Sequence, residues 1–331
     1  MFLVWCLASI GAILGLLFVL HLCLRTKARR IRANPDPCNT ETLTRQPPGE
    51  RVVIDRPDGT QIHAFVAGDG PVVVLAHGYC IDRRAWNVVV DQLLKEGFRV
   101  ITFDQRGHGD STVGNDGIGS EQMASDYQAL LEHFDVRGGV LVGHSMGAFL
   151  SVVFLLNYAE AASERLRGAV LFAGMAGQVR RGSLQNRIQI PLVKWGIISR
   201  IARSPTYGAL FGASLYGECP SPSGIQYFLE LFLAQNYRPL MPILRAMADE
   251  DHYARLPEIG TECVVINGEL DKTTPRWHSE RLATEIPRAR AIWVAGRGHL
   301  LNWEAPEALI EAVQSLHQPP KPNDGQSASE D

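Results

Sequence analysis

The stretch that decides the fold of this chain is Gly139-Val140-Leu141-Val142-Gly143-His144-Ser145-Met146-Gly147-Ala148. Its first half is short, apolar and β-branched, which is typical of a strand buried on both faces, while Ala148 to Tyr158 has the pattern of a helix packed on a sheet. A sharp turn must join them at Ser145. Gly143 and Gly147 fit positions where neighbouring backbone comes too close for a Cβ atom. Gly-x-Ser-x-Gly in this strand–turn–helix context predicts an exposed serine nucleophile.

The composition is that of a globular protein. The 331 residues are 46% hydrophobic, enough for a large α/β core, and the formal net charge of −3 gives no overall basic field. Nucleic acid is therefore excluded as a partner on electrostatic grounds. Six cysteines are scattered without C-x-x-C spacing, and neither a dinucleotide nor a P-loop fingerprint is present. The sequence thus predicts no cofactor and no metal.

The N-terminus has the features of a membrane anchor. No formally charged side chain occurs from Phe2 to Leu24, and as a helix this length crosses a hydrocarbon layer of about 30 Å. A signal peptide is the alternative, but no positive segment precedes the apolar run and no small-x-small cleavage site follows it. A basic cluster comes next, which predicts a cytoplasmic location for the rest of the chain; its members are Arg25, Lys27, Arg29, Arg30 and Arg32.

Apolar, strand-like runs alternate with helical patterns over most of the remaining chain, which predicts an α/β fold with a mostly parallel sheet of eight strands. The runs are Val52 to Ile54, Ile62 to Val66, Val72 to Ala76, Arg99 to Phe103, Val140 to Val142, Gly168 to Ala173, Cys263 to Asn267 and Ala291 to Val294. The helical patterns cover 81–97, 120–136, 148–158 and 306–316.

The alternation is interrupted once. Residues 176–251 form amphipathic stretches punctuated by prolines, as in a helical cap inserted over one end of the sheet. The predicted organisation is listed from the N-terminus: 1–24 anchor, 25–50 basic flank and linker, 51–175 and 252–317 core around the 176–251 cap, and 318–331 disordered tail.

A serine nucleophile needs a base, and the base needs an acid to orient it. Asp271 follows the strand 263–267 and His299 follows the strand 291–294, so both belong at the sheet edge that carries Ser145. Rival acids and bases occur elsewhere along the chain. They are Glu269, Asp249 and Asp251 for the acid, and His77, His108 and His144 for the base.

Together these motifs resemble an α/β-hydrolase-fold serine hydrolase of the esterase and lipase type. The resemblance covers roughly residues 52 to 316; its motifs are His77-Gly78, Asp104-Gln105-Arg106-Gly107-His108-Gly109-Asp110-Ser111, Gly143 to Gly147, Asp271 with Pro275, and Gly298-His299. It implies a Ser145, His299, Asp271 triad and an oxyanion hole formed by the backbone N–H groups of Tyr79 and Met146.

The resemblance leads to the expectation of a membrane-anchored hydrolase that acts on small lipophilic carboxylic esters, such as acylglycerol-like or medium-chain acyl esters. A carbon–carbon hydrolase, a perhydrolase or an acyltransferase would use the same three residues. A membrane-tethered module that binds a ligand without catalysis is the alternative from another class. Covalent modification of Ser145 separates the hydrolase from the binding module.

Overall fold

The computed structural model describes residues 1–318. The disordered tail is predicted for residues 318–331, of which 319–331 lie outside the described residues.

The centre of the protein is a sheet of eight strands in the order β1-β2-β4-β3-β5-β6-β7-β8. β2 is antiparallel to β1 and β4, and the other neighbours are parallel. The predicted α/β-hydrolase fold with a mostly parallel sheet is confirmed. The strands are β1 (Glu50–Asp55), β2 (Gln61–Ala67), β3 (Val72–Ala76), β4 (Arg99–Phe103), β5 (Gly139–His144), β6 (Leu166–Phe172), β7 (Glu262–Gly268) and β8 (Ala289–Val294).

Helices cover the sheet and supply the connections between its parallel strands. Those within residues 1–318 are α1 (Phe2–Arg32), α2 (Thr40–Thr44), α3 (Asn87–Lys95), α4 (Ser120–His133), α5 (Met146–Asn157), α6 (Ala159–Arg165), α7 (Leu184–Lys194), α8 (Ile197–Arg203), α9 (Tyr207–Ala213), α10 (Pro222–Ala234), α11 (Met241–Asp249), α12 (Arg276–Glu285), α13 (Leu301–Glu304) and α14 (Pro306–His317). Short 3₁₀ turns occur at Arg83–Trp86 and Tyr253–Glu258.

The two faces of the sheet bury two different apolar clusters. In β3, Val73 and Leu75 belong to the cluster that includes α3 and α14, whereas Val74 and Ala76 belong to the larger cluster on the other face. Side chains alternate between faces along a strand, so a strand covered on both sides must be apolar throughout. This explains why the central strands appear in the sequence as uninterrupted apolar runs.

Five helices, α7 to α11, lie between β6 and β7. They occupy the stretch that interrupts the strand–helix alternation. Their inward side chains join the larger apolar cluster, for example Leu231 and Ile243, which are completely buried. This helical layer, hereafter the cap, therefore shares one core with the sheet.

The N-terminal helix α1 is longer than the apolar segment and continues through the basic cluster to Arg32. Its stretch Ser9–Arg32 is long and apolar enough to cross a membrane by length and composition, a criterion that signal sequences also meet. The second half of α1 packs on α9, and Ala28 and Ile31 are buried there. His21 is hydrogen-bonded to the Tyr207 hydroxyl at 2.9 Å.

The segment 33–50, predicted as a linker from its polar, proline-bearing composition, makes specific contacts with the folded domain. Asn39 caps α2 by accepting the Glu41 N–H, and Leu43 on α2 is 1% exposed. Asp36 accepts hydrogen bonds from the Ser221 hydroxyl at 2.5 Å and the Ser223 N–H at 2.8 Å, at the start of α10. The segment is tied to the cap because tertiary contacts outweigh local composition.

Candidate active site

Ser145 lies in the tight turn between β5 and α5. Its backbone has φ 54° and ψ −111°, a conformation that is strained for any residue other than glycine. Cys80 (φ 60°) and Ala173 (φ 48°) are also in left-handed conformations, beyond the carboxyl ends of β3 and β6. Strained residues cluster at functional sites when the surrounding structure holds them in place. The strain therefore marks this edge of the sheet as the candidate site.

The turn at Ser145 requires glycine on both sides. A Cβ on Gly143 would lie 2.4 Å from the Gly147 carbonyl oxygen, and one on Gly147 would lie 2.2 Å from the Ala76 carbonyl oxygen. These neighbours are backbone atoms, which cannot move aside as a side chain can. We expect Gly143→Ala to lower the free energy of unfolding by about 3 kcal/mol. Urea unfolding followed by circular dichroism measures the change.

Gly260→Ala is the matched control for Gly143→Ala, since a Cβ at Gly260 meets no atom within 4 Å. Equal unfolding midpoints for the two variants would contradict the proposed steric role of Gly143.

His299 connects the serine to an acid. Its Nε2 lies 3.0 Å from Ser145 Oγ, and its Nδ1 lies 2.8 Å from Asp271 Oδ2. An ionised carboxylate can only accept, so Nδ1 carries the proton and Nε2 is left to accept the serine O–H. All three residues are less than 9% exposed. The structure thus brings the sequence-predicted Ser145, His299 and Asp271 into one hydrogen-bonded chain.

The Asp271 carboxylate is held by donors besides His299. Asp271 Oδ1 accepts the N–H groups of Thr273 at 2.8 Å and Thr274 at 2.9 Å, while the Thr274 hydroxyl donates to Oδ2 at 2.7 Å. Burial raises the pKa of this carboxyl, but His299 and the Thr274 donors lower it more, so the pKa lies below its usual range. Asp271 is consequently ionised at neutral pH and fixed in position.

The rival acids do not reach His299. Asp249 pairs with Arg180, and Asp251 accepts from Gln178. Glu269 is exposed.

The rival histidines have backbone partners instead of the serine. His77 Nε2 accepts the Gln105 N–H at 3.0 Å, and His108 Nδ1 contacts the Arg106 carbonyl at 3.2 Å. His144 Nε2 donates to the backbone carbonyl of His299 at 2.9 Å. Burial lowers the pKa of His144 to about 3, and the nearby His299 adds to the effect, so the ring is neutral. His144 thereby holds the loop that carries His299.

The two predicted oxyanion donors are Met146, which follows the nucleophile directly, and Tyr79, which lies in the loop after β3. Met146 is the first residue of α5, where a backbone N–H has no intrahelical acceptor. Within residues 1–318, neither Met146 nor Tyr79 donates its N–H to a backbone carbonyl. Tyr79 lines the cavity above Ser145, whereas the Met146 side chain is completely buried. Both amides therefore stay available, and their role in an oxyanion hole remains a prediction.

A cavity of about 840 Å³, including its mouth, opens above Ser145 and His299. Its wall is mainly apolar and comes largely from the cap. Asn186 is polar, but its amide already donates to the carbonyls of Val179 and Thr273. The apolar lining residues are Ile81, Met175, Val179, Ile190, Val193, Ile198, Phe211, Leu215, Phe228, Phe232, Leu244, Met247 and Leu300.

Glu304 supports the site and was missed by sequence reasoning. Its two carboxylate oxygens accept the N–H groups of Gly217, at 2.8 Å, and Gly298, at 2.9 Å. The His299 N–H donates to the Leu215 carbonyl at 2.7 Å, and the Glu218 N–H donates to the Gly296 carbonyl at 2.9 Å. With the Glu304 bridge, the His299 loop is attached to the cap at three points. Burial raises the pKa of Glu304. The sequence signal that could have indicated this role is a single acidic residue in the mostly apolar run 300–305.

We expect Glu304→Gln to lower kcat about tenfold with little change in KM, since an amide can accept only one of the two N–H groups and its NH₂ faces the other. Steady-state kinetics per folded molecule gives the kcat and KM values. Glu307→Gln, at an exposed position on α14, is the control. A fall in melting temperature with unchanged kcat would show that Glu304 has no positioning role.

Known proteins share this fold and part of this sequence. A sequence model described as the alpha/beta hydrolase family matches residues 73–312. A non-heme chloroperoxidase of Kitasatospora aureofaciens is 27% identical over 250 residues, which is 73% of this chain and 90% of the relative. A bifunctional esterase/perhydrolase of Acinetobacter calcoaceticus is 39% identical over 90 residues, 27% of this chain and 33% of the relative.

Among solved structures, an esterase from Exiguobacterium antarcticum superposes with a TM-score of 0.70 at 23% identity, covering 80% of this chain and all of the esterase. At this identity the likeness concerns the fold alone. The family match spans most of the chain and includes all eight residues from Gly143 to Leu150 as well as the loops of Asp271 and His299. The chain therefore belongs to the alpha/beta hydrolase family.

Proposed function

We propose that this protein is a membrane-anchored serine hydrolase that cleaves lipophilic carboxylic esters. The main support is the hydrogen-bonded chain from Ser145 Oγ through His299 to Asp271, at 3.0 and 2.8 Å, beneath an apolar cavity. A serine hydroxyl is a weak nucleophile until an adjacent base takes its proton, and these distances allow that transfer.

In the proposed mechanism, Ser145 Oγ attacks the ester carbonyl while His299 Nε2 takes the hydroxyl proton. Asp271 keeps the ring oriented and stabilises the imidazolium that forms. The N–H groups of Tyr79 and Met146 stabilise the oxyanion, a contribution of about 3 kcal/mol for each donor in comparable sites. His299 then protonates the leaving alcohol, and water activated by the same ring hydrolyses the acyl-enzyme.

The lipophilic substrate is inferred from the cavity wall. Most side chains around the candidate nucleophile are apolar. Of the polar ones, Asn186 is already committed to backbone carbonyls, and Tyr79, Gln189 and Thr273 form a minority of the wall. Burial of each methylene of an acyl chain contributes about 0.8 kcal/mol, so such a wall favours medium or longer chains over acetate. Acylglycerol-like and medium-chain acyl esters satisfy this requirement.

We infer that α1 is retained as an anchor. Ala28 and Ile31 pack on the cap, and the Arg32 guanidinium donates to the Pro205 carbonyl. Cleavage of α1 would expose this packed surface. The basic residues after the apolar segment favour a cytoplasmic location for the hydrolase core.

Fluorophosphonate labelling of the full-length protein tests the nucleophile. We expect wild type to be labelled on Ser145 and Ser145→Ala to remain unlabelled. Absence of an adduct on folded wild type would favour the non-catalytic binding module instead.

A chain-length series of nitrophenyl esters tests the substrate class. Wild type should show kcat/KM rising from acetate towards medium chains by about fourfold per methylene until the cavity is filled. Val193→Phe, which narrows the cavity, should move the optimum to shorter chains. A preference for acetate in both proteins would contradict the lipophilic assignment.

Perhydrolysis is the second candidate, favoured by the similarity to the bifunctional esterase/perhydrolase of Acinetobacter. Hydrogen peroxide would replace water in attacking the acyl-enzyme, releasing a peracid and regenerating Ser145. Peracid formation measured with ester and peroxide, relative to ester hydrolysis, separates the two outcomes.

A further inference from the structure

The cap exposes apolar side chains that a water-facing surface would not require. Leu184 is 71% exposed, Ile188 55% and Trp195 69%, and Pro191 lies between them. At about 100° per residue, the three positions on α7 and its C-cap residue Trp195 fall within about 60° of arc. We call Leu184, Ile188, Pro191 and Trp195 the cap stripe.

The opposite side of the same helix faces the candidate active site. Asn186, Gln189, Ile190 and Val193 line the cavity above Ser145. Their helical positions centre about 180° from the cap stripe. Helix α7 alone therefore separates the cavity from the surface that bears the cap stripe.

The chain segment that carries the cap stripe is cationic, and of its basic residues Arg180 pairs with Asp249. Residues 176–217 contain six Lys and Arg residues and neither Asp nor Glu; the six are Arg180, Arg181, Arg187, Lys194, Arg200 and Arg203. Within residues 1–318, Arg187 and Lys194, which flank the stripe, form no salt bridge with a carboxylate. An apolar helix face with basic flanks is the pattern of helices that lie in the interface of an anionic bilayer.

Contacts with α1 place the cap next to the proposed membrane span. His21, three residues before the end of the apolar segment, bonds the Tyr207 hydroxyl on α9. Helix α9 packs on α8, and α8 packs on α7. Tyr207 and Ile197, both 38% exposed, extend the apolar surface from the stripe towards α1.

We propose that the cap stripe inserts into the headgroup region of an anionic bilayer, so that lipophilic substrate passes around α7 from the membrane into the cavity. This inference rests on the proposed anchor and on the proposed ester hydrolysis. A second copy of the chain is a less suitable occupant, because it would bring two sets of unpaired cations together.

Quenching by brominated lipids tests the contact directly. Full-length wild type and Trp195→Phe are reconstituted in phosphatidylcholine–phosphatidylserine nanodiscs with bromines near the headgroups. We expect the emission lost in Trp195→Phe to be strongly quenched in wild type. The emission lost in Trp5→Phe, measured in the same way, reports insertion of the anchor, because Trp86, Trp277, Trp293 and Trp303 also contribute to the common emission. If the Trp5 difference is quenched but the Trp195 difference is not, the stripe proposal is overturned while the anchor stands; if neither is quenched, both are overturned.

A kinetic comparison tests substrate entry. Leu184→Ser/Ile188→Ser should lower turnover of a long-chain ester embedded in the nanodisc by about tenfold, the effect of losing an inserted apolar side chain. Turnover of a soluble short-chain ester should stay unchanged. Val53→Ser/Val113→Ser, at exposed apolar positions outside the cap, is the matched control. Equal loss on both substrates would overturn the entry route, and wild type inactive on the soluble ester would contradict the proposed hydrolysis instead.

Discussion

Replacement of Ser145 by alanine is expected to lower kcat/KM for ester hydrolysis by about 10⁵-fold, since no other group can form the acyl-enzyme. The fold should survive, because alanine tolerates φ 54° as well as serine does and the Ser145 N–H keeps its bond to the Phe172 carbonyl at 2.9 Å. Stopped assays with the best nitrophenyl ester and circular dichroism on the same sample measure both properties.

Ser151→Ala is the matched control for Ser145→Ala. Ser151 is a buried serine on α5, the helix that follows Ser145, and its hydroxyl donates to the Gly147 carbonyl at 2.8 Å. We expect this variant to retain activity and fluorophosphonate labelling. Retention of wild-type activity by Ser145→Ala would refute the nucleophile assignment.

Replacement of Asp271 by asparagine is expected to lower kcat/KM by about 10⁴-fold. Asparagine Oδ1 can still accept the N–H groups of Thr273 and Thr274, which turns Nδ2–H₂ towards His299. The ring must then accept at Nδ1 and carry its proton on Nε2. In that tautomer His299 cannot take the proton of Ser145.

Steady-state kinetics with ¹⁵N NMR of the histidine ring measures both effects of Asp271→Asn. Glu269→Gln removes an exposed carboxylate two residues away and should change kcat/KM by less than about twofold. If Asp271→Asn leaves the Nδ1–H tautomer and activity intact, another acid orients His299.

The central strands and the loops after them are predictable because local pattern and tertiary role agree there. A strand buried on both faces must be apolar, and the loops at its carboxyl end must share one edge of the sheet. Ser145, Asp271 and His299 could therefore be placed together before their distances were known. Their catalytic roles remain predictions.

The contacts of segment 33–50 cannot be predicted from its composition. Its prolines and polar residues predict a spacer, yet Leu43 fills a site against the domain and Asp36 bonds the start of α10. Such contacts depend on partners nearly 200 residues away. Glu304 is similar, since its role depends on two glycine N–H groups that the fold alone brings together.

The contacts of Glu304 with Gly217 and Gly298, here called the joint, connect the cap to the His299 loop. They limit which segments can be exchanged between this protein and its relatives. A Cβ on Gly217 would lie 2.0 Å from the Gly296 carbonyl oxygen. The loop that carries Gly217 and the loop that carries Gly296 can therefore approach this closely only with glycine at position 217. A chimera that exchanges the whole cap would combine this His299 loop with a foreign partner segment, and we expect it to displace His299. Exchange of α7 and α8 alone leaves the joint intact, and we expect such chimeras to fold and to differ in substrate preference.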